Sequence, residues 1–184
     1  MRFDWGVALL VAIVLRAQAP QPADLDGRPA DPLEDAQARA VVLFFVRGDC
    51  PVSNRYAPEI RRIHDKYAPR GVVFWLVYAD GRAGAEEIRR HVAEYRYPGG
   101  VLRDPGHVLV KLAQAEVTPE AAVFAPGRRL VYHGRIDDRY IDFGRTRPAP
   151  TRRDLEAAIE ATLAGRPVPV AATRAVGCFL SDLR

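Results

Sequence analysis

The sequence predicts an α/β fold, a central mixed sheet flanked by helices, in the order β-α-β-α-(α)-β-β-α. Three observations carry that prediction. Two continuously apolar runs rich in β-branched and aromatic residues, at 41–46 and 72–78, have the pattern of strands covered on both faces. A helical stretch separates them, giving a β-α-β unit that crosses over right-handedly into a parallel pair. Further on, residues 120–124 and 130–132 flank Pro126-Gly127, a turn pair that joins two strands as a hairpin.

The first strand hands over to the first helix within four residues. Arg47-Gly48-Asp49 breaks the apolar run, and Pro51, with its fixed φ and missing N–H, suits the first helical position. Cys50 therefore falls at the N-cap, where unpaired backbone N–H groups and the positive end of the helix dipole favour a thiolate. Val52, Tyr56, Ile60, Ile63 and Tyr67 recur at helical spacing and form one stripe, which faces the strand. Pro58 lies inside this helix and removes one of its hydrogen bonds.

The later elements follow by the same reasoning. Ile88, Val92 and Tyr95 give residues 83–96 an apolar face, closed by Pro98-Gly99-Gly100. Asp104-Pro105 opens a short helix as N-cap and N1, carries Val108, Leu109 and Leu112 inward, and ends near Glu116. Thr151, with Asp154 three residues on, starts the last helix; Leu155, Ala158, Ile159 and Leu163 are its buried face, and Gly165 ends it. Residues 145–150 are a proline-rich connector.

The chain of 184 residues carries 27 Lys and Arg against 23 Asp and Glu, a formal charge of +4. The arginines are spread along it, so no nucleic-acid footprint is expected. Arg2, an apolar run at 5–15 and Ala17-Gln18-Ala19 have the form of a secretory signal peptide, too short to span a bilayer. This divides the chain into a signal peptide at 1–19, a polar lead-in at 20–37, one domain at 38–164 and a tail at 165–184. The membrane is a partner only if the leader stays uncleaved. Export leaves Cys50 and Cys178 in an oxidising compartment, where one pairing exists.

Cys50-Pro51-Val52-Ser53, three residues, then Ala57-Pro58 resembles the active-site helix of thioredoxins, with Ser53 in the place of the second cysteine. The resemblance covers residues 38–164, and among thioredoxin-like proteins it is most similar to exported redoxins of the alkyl-hydroperoxide-reductase/thiol-specific-antioxidant (AhpC/TSA) or TlpA type. It implies a thioredoxin-like fold and a Thr118-Pro119 bond in the cis form beside Cys50, a geometry that only about 5–6% of X-Pro bonds adopt. It also implies a catalytic set of Cys50, Cys178, Ser53 and Arg47, with Thr118, Pro119 and Pro51 against the substrate. The partners are a protein disulfide or a peroxide and a thiol electron donor, with no cofactor and no metal.

Two departures bear on the chemistry. Peroxiredoxins place a proline seven residues before the nucleophile and a threonine or serine three before it, where this chain has Leu43 and Arg47. The buried acid of thioredoxins is replaced by Phe44. Arg47 favours a Cys50 thiolate and Asp49 opposes it. Two other readings use the same residues: copper handling by Cys50, Cys178 and a histidine, and a non-catalytic module stapled by a Cys50–Cys178 disulfide. The histidines His64, His91, His107 and His133 lack a second ligand at suitable spacing and read as surface or capping residues. Tyr132, Arg135, Asp137, Asp138 and Arg139 read as a solvated, salt-bridged loop. The enzymatic reading requires Cys50 to be reachable and Pro119 to lie beside it.

Overall fold

The computed structural model describes residues 21–180, so the leader read at 1–19 lies outside the described residues. Five strands form the central sheet, in the order 100–103, 72–78, 40–46, 120–125 and 129–134. β1 (Ala40–Val46) is its centre, parallel to β2 (Val72–Tyr78) on one side and antiparallel to β5 (Glu120–Ala125) on the other. β3 (Gly100–Arg103) continues the sheet parallel to β2, and β6 (Arg129–Gly134) pairs antiparallel with β5. This is the mixed thioredoxin-like sheet that the sequence predicts.

β1 is buried along its whole length because it feeds two cores. Val42, Phe44 and Val46 point into the layer of α1 (Pro51–Tyr67) and α4 (Asp154–Leu163); Val41, Leu43 and Phe45 point into the layer of α3 (Val108–Ala113). The period of two in a strand explains the split. Val52, Tyr56, Ile60, Ile63 and Tyr67 of α1 are all buried, as their spacing predicts. α1 runs through Pro58, and α2 (Ala85–Tyr95) buries Ile88 in the same core layer as Phe74 and Leu76 of β2.

Several elements differ from expectation. Gly99 and Gly100 do more than close α2, which already ends at Arg96 in the left-handed region; they admit β3, for which the sequence offers only Val101 and Leu102 as apolar residues. A Cβ on Gly99 would lie 2.6 Å from the Phe74 carbonyl oxygen, and one on Gly100 would lie 2.3 Å from the Trp75 ring. α3 begins later than Asp104-Pro105 predicts and stops at Ala113, short of Glu116. The buried Asp104 carboxylate still caps it from the preceding turn, accepting the N–H groups of Val108, Leu109 and Val110 at 2.8, 2.8 and 3.0 Å. Val110 and Ala113 are buried with Leu109, and Leu112 lies at the surface.

Thr151 does not cap α4. Its backbone N–H and hydroxyl both donate to the Asp138 carboxylate, and Arg153 holds the N-cap position. Asp137 and Asp138 are buried, so the stretch read as a solvated loop is a polar joint between layers. There the Tyr56 hydroxyl donates to Asp137 Oδ1 at 2.6 Å. The connector at 145–150 contributes β8 (Arg145–Thr146), which pairs with β7 (Tyr140–Asp142).

The C-terminal tail is tied down at two places. Thr173 N–H donates to the His133 carbonyl, and its hydroxyl meets Tyr132 and the Arg135 N–H. Further on, β9 (Cys178–Phe179) pairs antiparallel with β4 (Val117–Thr118), the short strand just before Pro119. That second pairing brings the tail cysteine to the start of α1.

Candidate active site

Cys50 is the N-cap of α1, with extended backbone (φ −91°, ψ 107°) and Pro51 at the first helical position. Its carbonyl accepts the first helical bond from the Asn54 N–H at 3.1 Å. The N–H groups of the first turn thus point towards the sulfur end of the helix, where a negative charge is favoured.

Three elements converge on this sulfur. The Cys50 thiol donates to the Thr118 carbonyl oxygen at 3.0 Å, and the Thr118-Pro119 peptide bond is cis. The Cys178 thiol donates to Cys50 Sγ at 2.9 Å, both cysteines being free. Pro119 follows the Cys50 contact directly, as the reading requires. Reachability is where the expectation fails: Cys50 has 0% exposure, because the Thr118 loop and the Cys178 tail lie over it. Cys178 itself is only half-buried.

The two sulfurs differ in acidity. Burial pushes the Cys50 thiol up, but the Cys178 donor, the Ser53 hydroxyl and N–H, and Thr118 bring it below the ordinary cysteine value. For Cys178, burial, the bond to Cys50 and the charge of an ionised Cys50 all act upwards, to about 12. The proton therefore leaves Cys50 first and stays on Cys178. Ser53 Oγ is fully buried and has no hydrogen-bond partner among the described residues. Its hydroxyl is one of the groups that favour a negative charge on Cys50.

Arg47 and Asp49 do not compete over Cys50 as the sequence suggests. They pair with each other, Nε to Oδ1 at 3.0 Å and Nη2 to Oδ2 at 2.8 Å, and largely cancel. Arg47 Nη1 also reaches the Phe179 carbonyl at 3.4 Å, so the guanidinium tethers the tail. Pro51 is exposed beside the sulfur site.

A supporting network escapes the sequence reading. His91, expected at the surface, is buried: Tyr78 Oη meets its Nδ1 at 2.6 Å, and its Nε2 meets Asn54 Oδ1 at 2.8 Å. Asn54 Nδ2 in turn donates to the Gly48 carbonyl at 3.0 Å, and the Tyr97 hydroxyl to the Ser53 carbonyl at 2.8 Å. Together these bonds fix the turn that presents Cys50. The spacing held a signal, since His91 stands three residues after Ile88 and four before Tyr95, on the apolar face. Among the described residues no group of three or more His, Cys, Asp or Glu is placed to hold a metal ion.

The AhpC/TSA family model matches residues 17–133, well over half of the chain. The chain belongs to the AhpC/TSA family. The matched region of this AhpC/TSA protein includes Cys50 and the Thr118-Pro119 loop and stops short of Cys178. No curated protein matches it in sequence. Among solved structures, it is similar to an uncharacterized conserved protein from Geobacillus kaustophilus, at 26% identity and TM-score 0.72 over 89% of each chain. A hypothetical protein from Sinorhizobium meliloti 1021 also has 26% identity and TM-score 0.72, over 85% of this chain and 87% of that one. A secreted Mycobacterium tuberculosis disulfide oxidoreductase homologous to E. coli DsbE shares the fold, at 19% identity and TM-score 0.52, over 80% of this chain and 96% of that one.

Proposed function

We propose that this AhpC/TSA protein is an exported thiol–disulfide oxidoreductase in which Cys50 is the nucleophile and Cys178 the resolving thiol. The observation that carries the reading is the 2.9 Å approach of Cys178 Sγ to Cys50 Sγ across 128 residues of sequence. The helix N-terminus and the difference in acidity between the two sulfurs support it. Export is supported by the leader pattern at 1–19 and by the secreted neighbour of the same fold.

Catalysis starts when the tail moves aside and uncovers Cys50. Its thiolate attacks one sulfur of a substrate disulfide, forms a mixed disulfide and expels the first substrate thiolate, which takes up a proton. The Cys178 thiol then loses its proton and attacks Cys50 Sγ, expelling the second substrate thiolate. The substrate has gained two electrons, and the protein holds a Cys50–Cys178 disulfide. Two equivalents of an external thiol donor restore the dithiol. The same thiolate would attack a peroxide, breaking its O–O bond to give a sulfenic acid and release water or an alcohol; Cys178 then condenses with the sulfenic acid, forming the disulfide with loss of water. Leu43 and Arg47, in the places of the peroxiredoxin proline and threonine, make disulfides the better-supported substrate.

The complete burial of Cys50 favours a second reading, a permanent structural cross-link in a non-catalytic module. Mutagenesis and the reduction potential of the pair separate the two. Cys50→Ser is expected to abolish disulfide reductase turnover, and Cys178→Ser to accumulate a mixed disulfide on Cys50, seen by mass. Full activity in Cys50→Ser, or a potential below about −300 mV, would identify a structural staple instead.

A further inference from the structure

Between its two anchors the tail forms an arch. At one foot the His133 N–H donates to the Ala171 carbonyl at 3.0 Å and the Thr173 N–H to the His133 carbonyl at 3.1 Å. At the other, β9 pairs with β4 and the Leu180 N–H donates to the Glu116 carbonyl at 2.9 Å. Gly177 lets the arch come down there, since a Cβ on it would fall 2.0 Å from the Thr118 carbonyl oxygen. Residues 172–177 enclose, with β4 and the end of β7, a cavity of about 340 Å³, within the size range of small-molecule sites.

The base of this cavity is polar and its mouth aromatic. Glu120 is 4% exposed, and its Oε2 accepts the Glu116 and Val117 N–H groups at 2.9 and 3.2 Å. Oε1 faces His133 Nδ1 at 3.5 Å, and that nitrogen is buried with no hydrogen-bond partner among the described residues. Burial pushes the Glu120 carboxyl up, and the two N–H groups and His133 do not offset it, so the carboxylate is short of positive charge. Glu116 and Asp142 add exposed carboxylates at the rim, against the single guanidinium of Arg174. Phe143 and Phe179, 58% and 54% exposed, flank the opening. A concave site with this charge balance focuses a negative potential, and aromatic faces attract the same ligand charge as the carboxylates do.

We propose that this cavity binds a small organic cation, a guanidinium or ammonium group on a short aliphatic chain, and that the bound cation latches the tail over Cys50. The head group donates to Glu120 Oε1 and to His133 Nδ1, and the chain lies along Val117 and Val176 towards the two phenylalanines. One wall of the cavity is the tail itself, and the facing wall includes Glu116, Val117 and His133, whose backbone groups hold the tail. The ligand keeps both walls only while the tail is docked. It therefore shifts the equilibrium towards the state in which Cys50 has no exposed surface. A free amine and the side chain of an arginine or lysine on another polypeptide share this chemistry.

The probes are agmatine, a Gly-Arg-Gly peptide blocked at both ends, and butyrate as an anionic counterpart, each titrated calorimetrically into the reduced full chain. At least one of the two cations is expected to bind at a single site per chain, and butyrate not at all; the tighter cation identifies the source as a free amine or a polypeptide side chain. Arg174→Ala removes the opposing charge and should tighten binding, whereas Asp142→Asn at the rim should weaken it. Glu120→Gln, which still accepts the two N–H groups, should weaken it by about 10-fold or more, the scale of one lost charge-assisted hydrogen bond. Gly177→Ala disturbs the arch and should weaken it too, because coupling between ligand and tail is reciprocal. The latch itself is read in Cys178→Ser, where Cys50 is the sole thiol. With the cation at roughly ten times its Kd, iodoacetamide should modify Cys50 about 10-fold more slowly than without it, at equal thiolate fraction. Absence of saturable binding by both cations, equal affinity for butyrate, or weaker binding in Arg174→Ala would overturn the site. Unchanged or faster modification of Cys50, or full affinity in Gly177→Ala, would overturn the latch. None of these measurements needs turnover, so the oxidoreductase reading stands or falls separately.

Discussion

The His91 ring on α2 and the Asn54 side chain on α1 meet at 2.8 Å, and Asn54 in turn donates to the Gly48 carbonyl, so α2 helps hold the turn before Cys50. His91 Nδ1 accepts from Tyr78, so the neutral tautomer with the proton on Nε2 donates to Asn54. Burial holds the His91 pKa below its ordinary value, against the raising effect of Glu94 and Glu87. A depressed folded pKa means that the unfolded chain binds the proton first. His91 therefore costs stability as the pH falls from about 6.5 towards the lower folded value, and nothing above that window. His91→Phe, which keeps a ring but neither nitrogen, should lose that pH-dependent segment in urea unfolding. It should also be less stable at pH 8 by about 1–3 kcal/mol, the cost of leaving Tyr78 and Asn54 unpaired.

The thiolate of Cys50 depends on the tail. Cys178 is the foremost of the groups that lower the Cys50 pKa. Cys178→Ala should therefore raise the Cys50 pKa, read from thiolate absorbance at 240 nm across a pH titration. Cys178→Ser, which keeps a donor, should raise it less. A lower pKa in the alanine variant would mean that the helix N-terminus alone governs the sulfur.

Arg47 is expected to act on access more than on acidity. Its three bonds join Asp49 to the Phe179 carbonyl, and only the last of them holds the tail. In Arg47→Gln with Asp49→Asn, where no charge is left unpaired, the reduced protein should alkylate at Cys50 several-fold faster than wild type when the two are compared at equal Cys50 thiolate fraction. Unchanged kinetics there would show that the β4–β9 pairing holds the tail unaided.

Glu156 on α4 bears on stability rather than chemistry. It is buried and accepts from Arg62 Nη2 at 2.7 Å, Lys66 Nζ at 2.9 Å and the Tyr67 hydroxyl at 3.2 Å. Burial raises its pKa, but Arg62 and Lys66 outweigh burial and bring it below 4.5. With the folded pKa depressed, the stabilisation is complete above the unfolded value and is lost as the pH falls through the folded one. Glu156→Gln should cost about 1–3 kcal/mol at pH 7. It should also flatten the stability profile below pH 4.5, measured by thermal unfolding as a function of pH.

Whatever local chemistry controls in this fold can be read along the chain. Apolar runs gave β1 and β2, helical spacing gave the buried face of α1, and Pro51 after a broken strand put Cys50 at a helix N-terminus. The motif resemblance added Thr118-Pro119 beside the sulfur. What stayed illegible depends on partners distant in the chain. Gly99 and Gly100 punctuate a helix when read locally, and only the approach of Phe74 and Trp75 reveals why they admit a strand. Asp137 and Asp138 look solvated until Tyr56 and Thr151 arrive as donors. Tertiary structure alone decided that Cys178 reaches Cys50 and, in doing so, hides it. A two-residue strand has no periodicity to read, and its pairing with β4 rests on a glycine whose missing side chain matters only where the two backbones touch.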